Sequence, residues 1–160
     1  MIEVDLQQGR LQDALRRIEW AVGDTQPLMR GIATELLSIT EENLENQGQS
    51  GNDWQALSGV TTAIREAAGT WPGQMLQVSA GGLAASISTH ADDSGALVGS
   101  NKPYAAMMHF GGDKDDWPHL WGDIPARPYL PMDADGKLQP EAEDAILDLA
   151  LGHIAKAARL

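Results

Sequence analysis

The chain has 160 residues and a net charge of −12, from 11 basic and 23 acidic side chains. This length fits one domain with one core, and we expect a single domain spanning residues 1–160. The absence of cysteine excludes disulfides, iron–sulfur clusters and a cysteine nucleophile. The acidic balance disfavours a protein that wraps nucleic acid through many Lys and Arg contacts. No run of about 18 apolar residues and no signal peptide is recognisable, so we expect a soluble chain that stays where it is made.

Two helices are predicted at the start of the chain. Apolar residues recur at helical spacing over residues 6–22 and again over residues 26–46. A short connection containing Pro27 separates them, and the glycine-containing residues 48–53 end the second. Helices joined by so short a connection usually pack antiparallel, and we expect Trp20 to lie in their core.

The middle of the chain predicts a short helix and a β-hairpin. The Ala- and Thr-rich residues 61–70 allow only a short helix. Further on, short apolar runs at Ile87 and at residues 96–98 flank the sequence ADDSG of residues 91–95. Asp, Ser and Gly are typical of tight turns, so this pattern indicates two antiparallel strands.

One or two helical turns are predicted after Pro103, a residue suited to the first turn of a helix. Gly111 and Gly112 end that helix. We expect the aromatic residues near its two ends, Tyr104 and Phe110, to pack in the core.

Two segments without helical or strand periodicity follow. Residues 113–123 contain two tryptophans and four aspartates and are predicted to form a loop. Residues 124–131, with the sequence IPARPYLP, contain three prolines. Proline restricts the backbone and removes donors from a sheet ladder, so this segment is expected in extended form at an edge or across a surface.

A last amphipathic helix is predicted over residues 140–158, with an acidic first turn that suits the helix dipole. Its apolar stripe consists of Ile146, Leu149, Leu151 and Ile154. The complete pattern predicts an α+β protein, in which an N-terminal antiparallel helix pair and a C-terminal helix pack on a small antiparallel β-sheet.

The search for catalytic and metal motifs gives no match. The nearest candidate metal ligands are His109, Asp113 and His119, but their spacing fits no ligand motif. No serine lies in a GxSxG setting, and no glycine pattern matches a phosphate-binding loop. We therefore predict no catalytic residue, no cofactor and no metal. The alternative is a small hydrolase or ligand-binding module that uses residues 109–123.

The tryptophan content is unusual, because five tryptophans stand against one phenylalanine and two tyrosines. Tryptophan is enriched at protein interfaces. Trp54, Trp117 and Trp121 lie beside Asp and Gly in predicted loops. They either fill gaps in their own domain or anchor a partner, and the sequence leaves both interpretations open.

The order of short motifs resembles the phage virion morphogenesis family, the tail completion proteins of Mu-like tailed phages. The resemblance covers almost the whole chain, and its most specific part is YAA…HFG at residues 104–111 followed by IPARPYL at residues 124–130. The other motifs are Trp54 with Leu57, Gly82-Leu83, Ser86-Ile87 and Val98-Gly99.

This resemblance implies a structural protein without catalytic residues that completes the tail or neck and allows the head and tail to join. It implies a homo-oligomeric ring around the DNA path, located at the neck or head-proximal tail end and assembled in the cytoplasm of the bacterial host. The implied partners are further copies of the chain, a head-side connector, and the tail tube or terminator proteins. Genomic DNA would pass through without sequence-specific binding, and no membrane is involved.

The candidate interface residues are Trp117, Trp121, Ile124, Arg127 and Tyr129. A proline-stiffened strand loses little entropy on docking, and Arg127 can make a bidentate contact to a neighbour's carboxylate. The alternative is that residues 124–130 pack across their own domain, with Arg127 bonded to loop carbonyls.

The candidate lining of a DNA channel is acidic, because a negatively charged wall repels phosphate and lets a duplex slide. The candidates are Asp92 and Asp93 in the hairpin turn and Asp113, Asp115 and Asp116 in the loop. Asp-rich turns are also common on ordinary surfaces, so the alternative is that these loops face solvent or another protein.

Overall fold

The computed structural model describes residues 16, 17, 19, 20 and 22–158. The helix predicted over residues 6–22 lies mostly outside the described residues, and so does its packing against the next helix. The residues described between 16 and 23 are helical, and Trp20 among them is 79% exposed. The expectation that Trp20 lies in the core is therefore wrong, because its indole faces solvent.

Helix α1 (Gln26–Asn46) is the central element and confirms the predicted boundaries. Pro27 lies in its first turn, where the missing N–H costs no hydrogen bond. Ile32, Leu36 and Ile39 recur every three or four residues, and all three are buried. The helix ends at Gln47, which adopts the left-handed conformation with φ 52°.

Two antiparallel hairpins follow α1 in the chain. Strands β1 (Gly48–Gln49) and β2 (Asn52–Asp53) are joined by Ser50 and Gly51, whose φ values of 47° and 78° fit a tight hairpin turn. The sequence pattern predicted only a break here, because strands of two polar residues show no alternation.

The second hairpin confirms the prediction. Strands β3 (Ile87–Ala91) and β4 (Ala96–Ser100) pair in register from Ile87 opposite Ser100 to Ala91 opposite Ala96. The hairpin packs against α1, which supplies the surface that two short strands need. A 3₁₀ turn at Ala84–Ser86 leads into β3.

Three further helices complete the described elements: α2 (Gly59–Ala67), α3 (Ala105–Phe110) and α4 (Pro140–Ala158). Helix α4 packs against α1. After α3 the chain turns at Gly111, with φ 75°. A Cβ there would lie 2.7 Å from the backbone of residues 124 and 126, so only glycine allows this close approach. Within the described part of the chain, no helix has the length and apolar content needed to cross a bilayer.

The interior contains two apolar clusters, and the α+β class is confirmed. One cluster joins α1 to the hairpin and α4; its buried members are Ile32, Leu36, Ile39 and Ala142. The other joins the end of α1 to α3 and the proline-rich segment; its buried members are Leu44, Trp54, Leu83, Ala105 and Tyr129.

Besides Trp20, four apolar side chains that were predicted to pack in the core or along the stripe of α4 are exposed. Tyr104 precedes α3 and Phe110 is its last residue, and the face that α3 buries is formed by Ala105 and His109. Leu151 and Ile154 are also exposed on α4, whereas Ile146 and Leu149 pack against the α1 cluster. The apolar stripe of α4 thus continues beyond the part that packs on the described core.

Candidate functional site

Residues 124–131, the proline strap, lie beside α3 and the glycines that follow it. Ile124 exchanges two backbone hydrogen bonds with Gly112, at 2.8 and 2.9 Å. Further along, the Arg127 N–H donates to the Met108 carbonyl at 2.9 Å. The strap is thus bound along much of its length to its own chain.

Tyr129 is the most deeply buried residue of the strap and is 1% exposed. Its hydroxyl donates to the Ala105 carbonyl at 3.3 Å, and burial raises the pKa of the phenol. Its ring packs in the cluster that also contains Leu44 and Leu83. Tyr129 therefore connects the strap to α1 and α3.

Polar side chains from other elements satisfy the strap carbonyls. The Asn43 amide donates to the Tyr129 carbonyl at 3.3 Å, and the Trp54 indole N–H donates to the Pro128 carbonyl at 3.0 Å. The Gln49 amide donates to the Leu130 carbonyl at 2.6 Å. Prolines cannot donate to a ladder, so these side chains replace the partner that a neighbouring strand would provide.

Sequence reasoning missed these polar anchors. Asn43 is buried, and its amide also donates to the Gln139 side chain at 3.0 Å. Asn43 and the buried Thr40 lie on the core-facing side of an amphipathic helix. A polar residue at such a position was the available signal, because buried polar groups require partners.

Arg127 is 7% exposed and donates from Nη2 to the Gln55 carbonyl at 3.1 Å. Desolvation by burial lowers the pKa of its guanidinium. This placement corrects the expectation that Arg127 and Tyr129 present their side chains to a neighbouring subunit. The Tyr129 ring packs with Leu44 and Leu83, and the Arg127 side chain is bonded to the Gln55 carbonyl. Ile124, which is half-buried, is therefore the most accessible of the three strap candidates.

His109 on α3 is 1% exposed and holds the strap through its ring. Its Nδ1 accepts from the backbone N–H of Tyr129 at 3.3 Å and of Leu130 at 3.4 Å, and its Nε2 lies 3.4 Å from the Asp133 carbonyl. A ring that accepts at Nδ1 and donates at Nε2 is neutral. Both nitrogens serve the fold, so His109 is not placed to act as a general base on a substrate.

We expect His109 to make stability depend on pH. Desolvation lowers its pKa below the ordinary 6.5, despite the opposing hydrogen bond and charge of Asp133. The unfolded chain then binds the proton more readily, so stability present above pH 6.5 should be lost as the pH falls below it. Urea unfolding of His109→Asn between pH 7 and 5.5 should show a flatter pH dependence than the parent. The exposed His119→Asn control should keep the parent slope; equal slopes in all three proteins would contradict the assignment.

Residues 113–123, the Trp loop, form the most accessible aromatic surface near the strap. Trp117 is 49% exposed and Trp121 is fully exposed. The loop begins after the Gly112–Ile124 pair, and the Asp123 carboxylate accepts from the Lys114 N–H at 2.8 Å, so its ends are fixed. By contrast, Trp54 is buried. The two interpretations of the tryptophans therefore apply to different residues: Trp54 fills its own core, and the other two are free for contact.

The acidic candidates lie in two places. Asp113 and Asp116 line a depression of about 590 Å³ together with Trp117 and Ile124, and Asp115 is exposed on the same loop. The remaining two lie in the β3–β4 turn. The Asp92 carboxylate accepts from Ser94 and from the Gly95 N–H, hydrogen bonds that lower its pKa, and Asp93 is exposed beside it.

The candidate metal ligands are not brought together. Among the described residues, no three His, Asp or Glu side chains lie close enough to hold an ion. His109 is buried against backbone, whereas His119 is exposed in the Trp loop, where its ring centroid lies 6.0 Å from that of Trp117.

Comparisons with known proteins give one family and two similar relatives. The model of the phage virion morphogenesis family matches residues 6–155. "Putative capsid assembly protein G" of Escherichia phage Mu is 39% identical over 139 residues, which is 86% of each chain. "Mu-like prophage FluMu G protein 2" of Haemophilus influenzae is 34% identical over 149 residues, 92% of each chain. No solved structure matches the chain significantly.

Proposed function

The chain belongs to the phage virion morphogenesis family and has a role in virion assembly, and we propose that it is a structural protein that completes the tail or neck so that head and tail can join. The observation that carries the proposal is the Trp loop. Trp117 and Trp121 present apolar surface on a loop whose ends are fixed by backbone pairing. Large exposed aromatic groups are typical of interface anchors, and fixed ends reduce the entropy lost on docking.

The proposed assembly is a ring of identical subunits around the DNA path. A protein that joins head to tail must leave a channel open, and repetition of one heterologous contact closes such a ring. Its partners would be the head-side connector and the tail tube or terminator proteins, with the virion neck or head-proximal tail end as its location. Assembly would take place in the cytoplasm of the bacterial host.

The proposed role is non-enzymatic. His109, the central residue of the alternative hydrolase, directs both ring nitrogens to backbone groups. His109 holds the strap through the backbone of residues 129 and 130. At the other end of the strap, Ile124 pairs with Gly112 at the base of the Trp loop. The chemistry of the site is therefore that of an interface support.

A charge reversal tests whether the Trp loop faces passing DNA. We expect Asp115→Lys with Asp116→Lys to give particles that assemble but eject DNA several-fold more slowly, because lysines attract phosphate where carboxylates repel it. Ejection kinetics of the variant virions provide the measurement. Glu41→Lys with Glu42→Lys, on the exposed side of α1, adds the same charge elsewhere and should eject at the parent rate.

A reconstruction of the assembled particle tests the ring itself. The expected result is a closed ring of this chain at the neck or tail end, with carboxylates outnumbering basic groups along the lumen. Subunits located outside any ring, or a lumen lined chiefly by arginine, would contradict the proposal.

A further inference from the structure

Helix α2 presents its apolar side to solvent. Four apolar residues recur at positions i, i+3, i+4 and i+7, which lie on one side of a helix, and all four are exposed: Val60, Ala63, Ile64 and Ala67. These residues form the α2 stripe. The one buried residue of this helix is a cation, Arg65. The orientation of α2 is therefore the reverse of that of an ordinary surface helix, which turns its apolar side inward.

Polar contacts hold α2 in this orientation. At its start, the Ser58 side chain caps the helix by accepting from the Thr61 N–H at 3.2 Å. On the side away from the stripe, Arg65 donates from Nη2 to the carbonyls of Thr70 and Gln74, at 3.0 and 3.1 Å. A rotation of α2 that buried its stripe would break these hydrogen bonds. The exposed stripe is thus a fixed feature of the fold.

Helix α4 carries an apolar stripe of matching length, the α4 stripe. Leu147, Leu151 and Ile154 are exposed at positions i, i+4 and i+7, whereas Ile146 and Leu149 pack against the α1 cluster. In each stripe the first and last residues are seven positions apart, a length of about 10 Å along a helix. Apolar stripes that stay exposed on fixed helices are typical of protein contact surfaces.

Charge indicates which surface fits the α4 stripe. Glu143 and Asp144 are exposed one helical turn before Leu147, so they flank the start of that stripe. Two α4 stripes packed together would place these carboxylates against each other or against the negative C-terminal end of the partner helix. The α2 stripe contains no charged residue, and its N-terminal end carries the positive end of a helix dipole. It therefore matches the α4 stripe better than a second α4 stripe does.

We propose that the α2 stripe of one subunit packs against the α4 stripe of the next copy of this chain. This inference rests on the proposed ring and names the surfaces that the ring repeats. Ala63 and Ala67 leave room for the larger side chains of Leu147 and Leu151, as the close packing of two helices requires. The contact is heterologous, because each copy offers α2 on one side and α4 on the other, and such a contact can repeat until a ring closes.

The absence of cysteine from the chain allows a direct test by cross-linking. Ile64→Cys and Leu151→Cys place one thiol in each stripe of the full-length chain. A short bis-maleimide should join the two variants into a dimer when they are mixed. Either variant alone should give no dimer, because the contact pairs unlike surfaces. Denaturing electrophoresis measures the product, both from concentrated purified chain and from particles made in cells that supply the two variants.

Two matched variants separate the stripes from the general surface. Glu66→Cys should lose most of the product with Leu151→Cys, since Glu66 is exposed on α2 outside the stripe. Adding Leu147→Asp to the Leu151→Cys chain should reduce the product with Ile64→Cys at least about tenfold, because the contact would bury an unpaired carboxylate. All these positions are exposed, so each variant should keep the parent urea midpoint.

Three results would overturn the proposal: a dimer from either single variant alone, no product from the mixture in either preparation, and equal product from the Glu66→Cys control. A chain with both cysteines separates this contact from the ring itself, because it should give a ladder of covalent oligomers that ends at the closed ring. A ring seen in the reconstruction without the cross-link would remove the contact and leave the ring. A cross-linked dimer without larger oligomers would keep the contact and contradict the ring.

Discussion

Replacing Tyr129 with alanine is expected to lower the free energy of unfolding by about 3–5 kcal/mol, the range found when a large aromatic group leaves a core. The Tyr129 ring is 1% exposed and lies against Leu44 and Leu83, so its removal leaves a cavity where three elements meet. Urea unfolding should show a lower midpoint with an unchanged slope, since the same surface is exposed in both proteins.

The matched control is Tyr129→Phe, which keeps the ring and removes the hydroxyl that donates to the Ala105 carbonyl. It should cost about 0.5–1.5 kcal/mol, the net contribution of one hydrogen bond. If Tyr129→Ala costs no more than the control, the strap is not part of the core and the burial of Tyr129 does not support the fold.

The burial of Arg127 changes what its substitution should do. A residue whose side chain lay on an exposed interface could be truncated with little loss of stability. In the structure, Arg127 is covered and bonded to Gln55, so its removal should destabilise the free chain as well. Assembly defects of strap variants must therefore be interpreted together with their unfolding midpoints.

Local patterns predicted most of the regular elements. Helix α1, α4 and the β3–β4 hairpin were predicted because each carries its own periodicity and its own start and stop signals. These signals depend only on neighbouring residues, so a single sequence contains them.

Depth of burial could not be predicted in the same way. Asn43 and Gln139 lie 96 positions apart in the sequence and bond to each other beneath the strap. Trp54 and Trp121 have similar Asp- and Gly-rich surroundings, yet the first is buried and the second is fully exposed. What decides these outcomes is which distant segment packs over the residue, and composition does not specify that.

Burial also divides the candidate site. The sequence predicted interface residues in both the Trp loop and the strap, but it could not separate buried supporting residues from exposed ones. Tyr129 and Arg127 of the strap and His109 of α3 are buried, whereas Trp117 and Trp121 in the Trp loop are exposed. Stability and assembly should therefore respond to different substitutions.

Replacing Trp117 and Trp121 with serine is the assembly counterpart of the Tyr129 experiment. We expect the double variant to keep the parent free energy of unfolding within about 0.5 kcal/mol, since neither side chain belongs to a buried apolar cluster. Virion production should fail with separate heads and tails. An anchoring tryptophan typically contributes about 2 kcal/mol or more to an interface, and about 1.4 kcal/mol already changes an equilibrium constant tenfold.

Counting joined and unjoined particles by electron microscopy, in cells that supply only the variant chain, measures this outcome. Trp20→Ser is the matched control, because Trp20 is also exposed but lines a depression with residues of α1 and α4. It should give joined particles in parent numbers. A double variant that unfolds would show that the Trp loop packs on its own chain, and one that joins heads to tails normally would show that the loop faces solvent in the virion; either result removes the main support for the proposed interface.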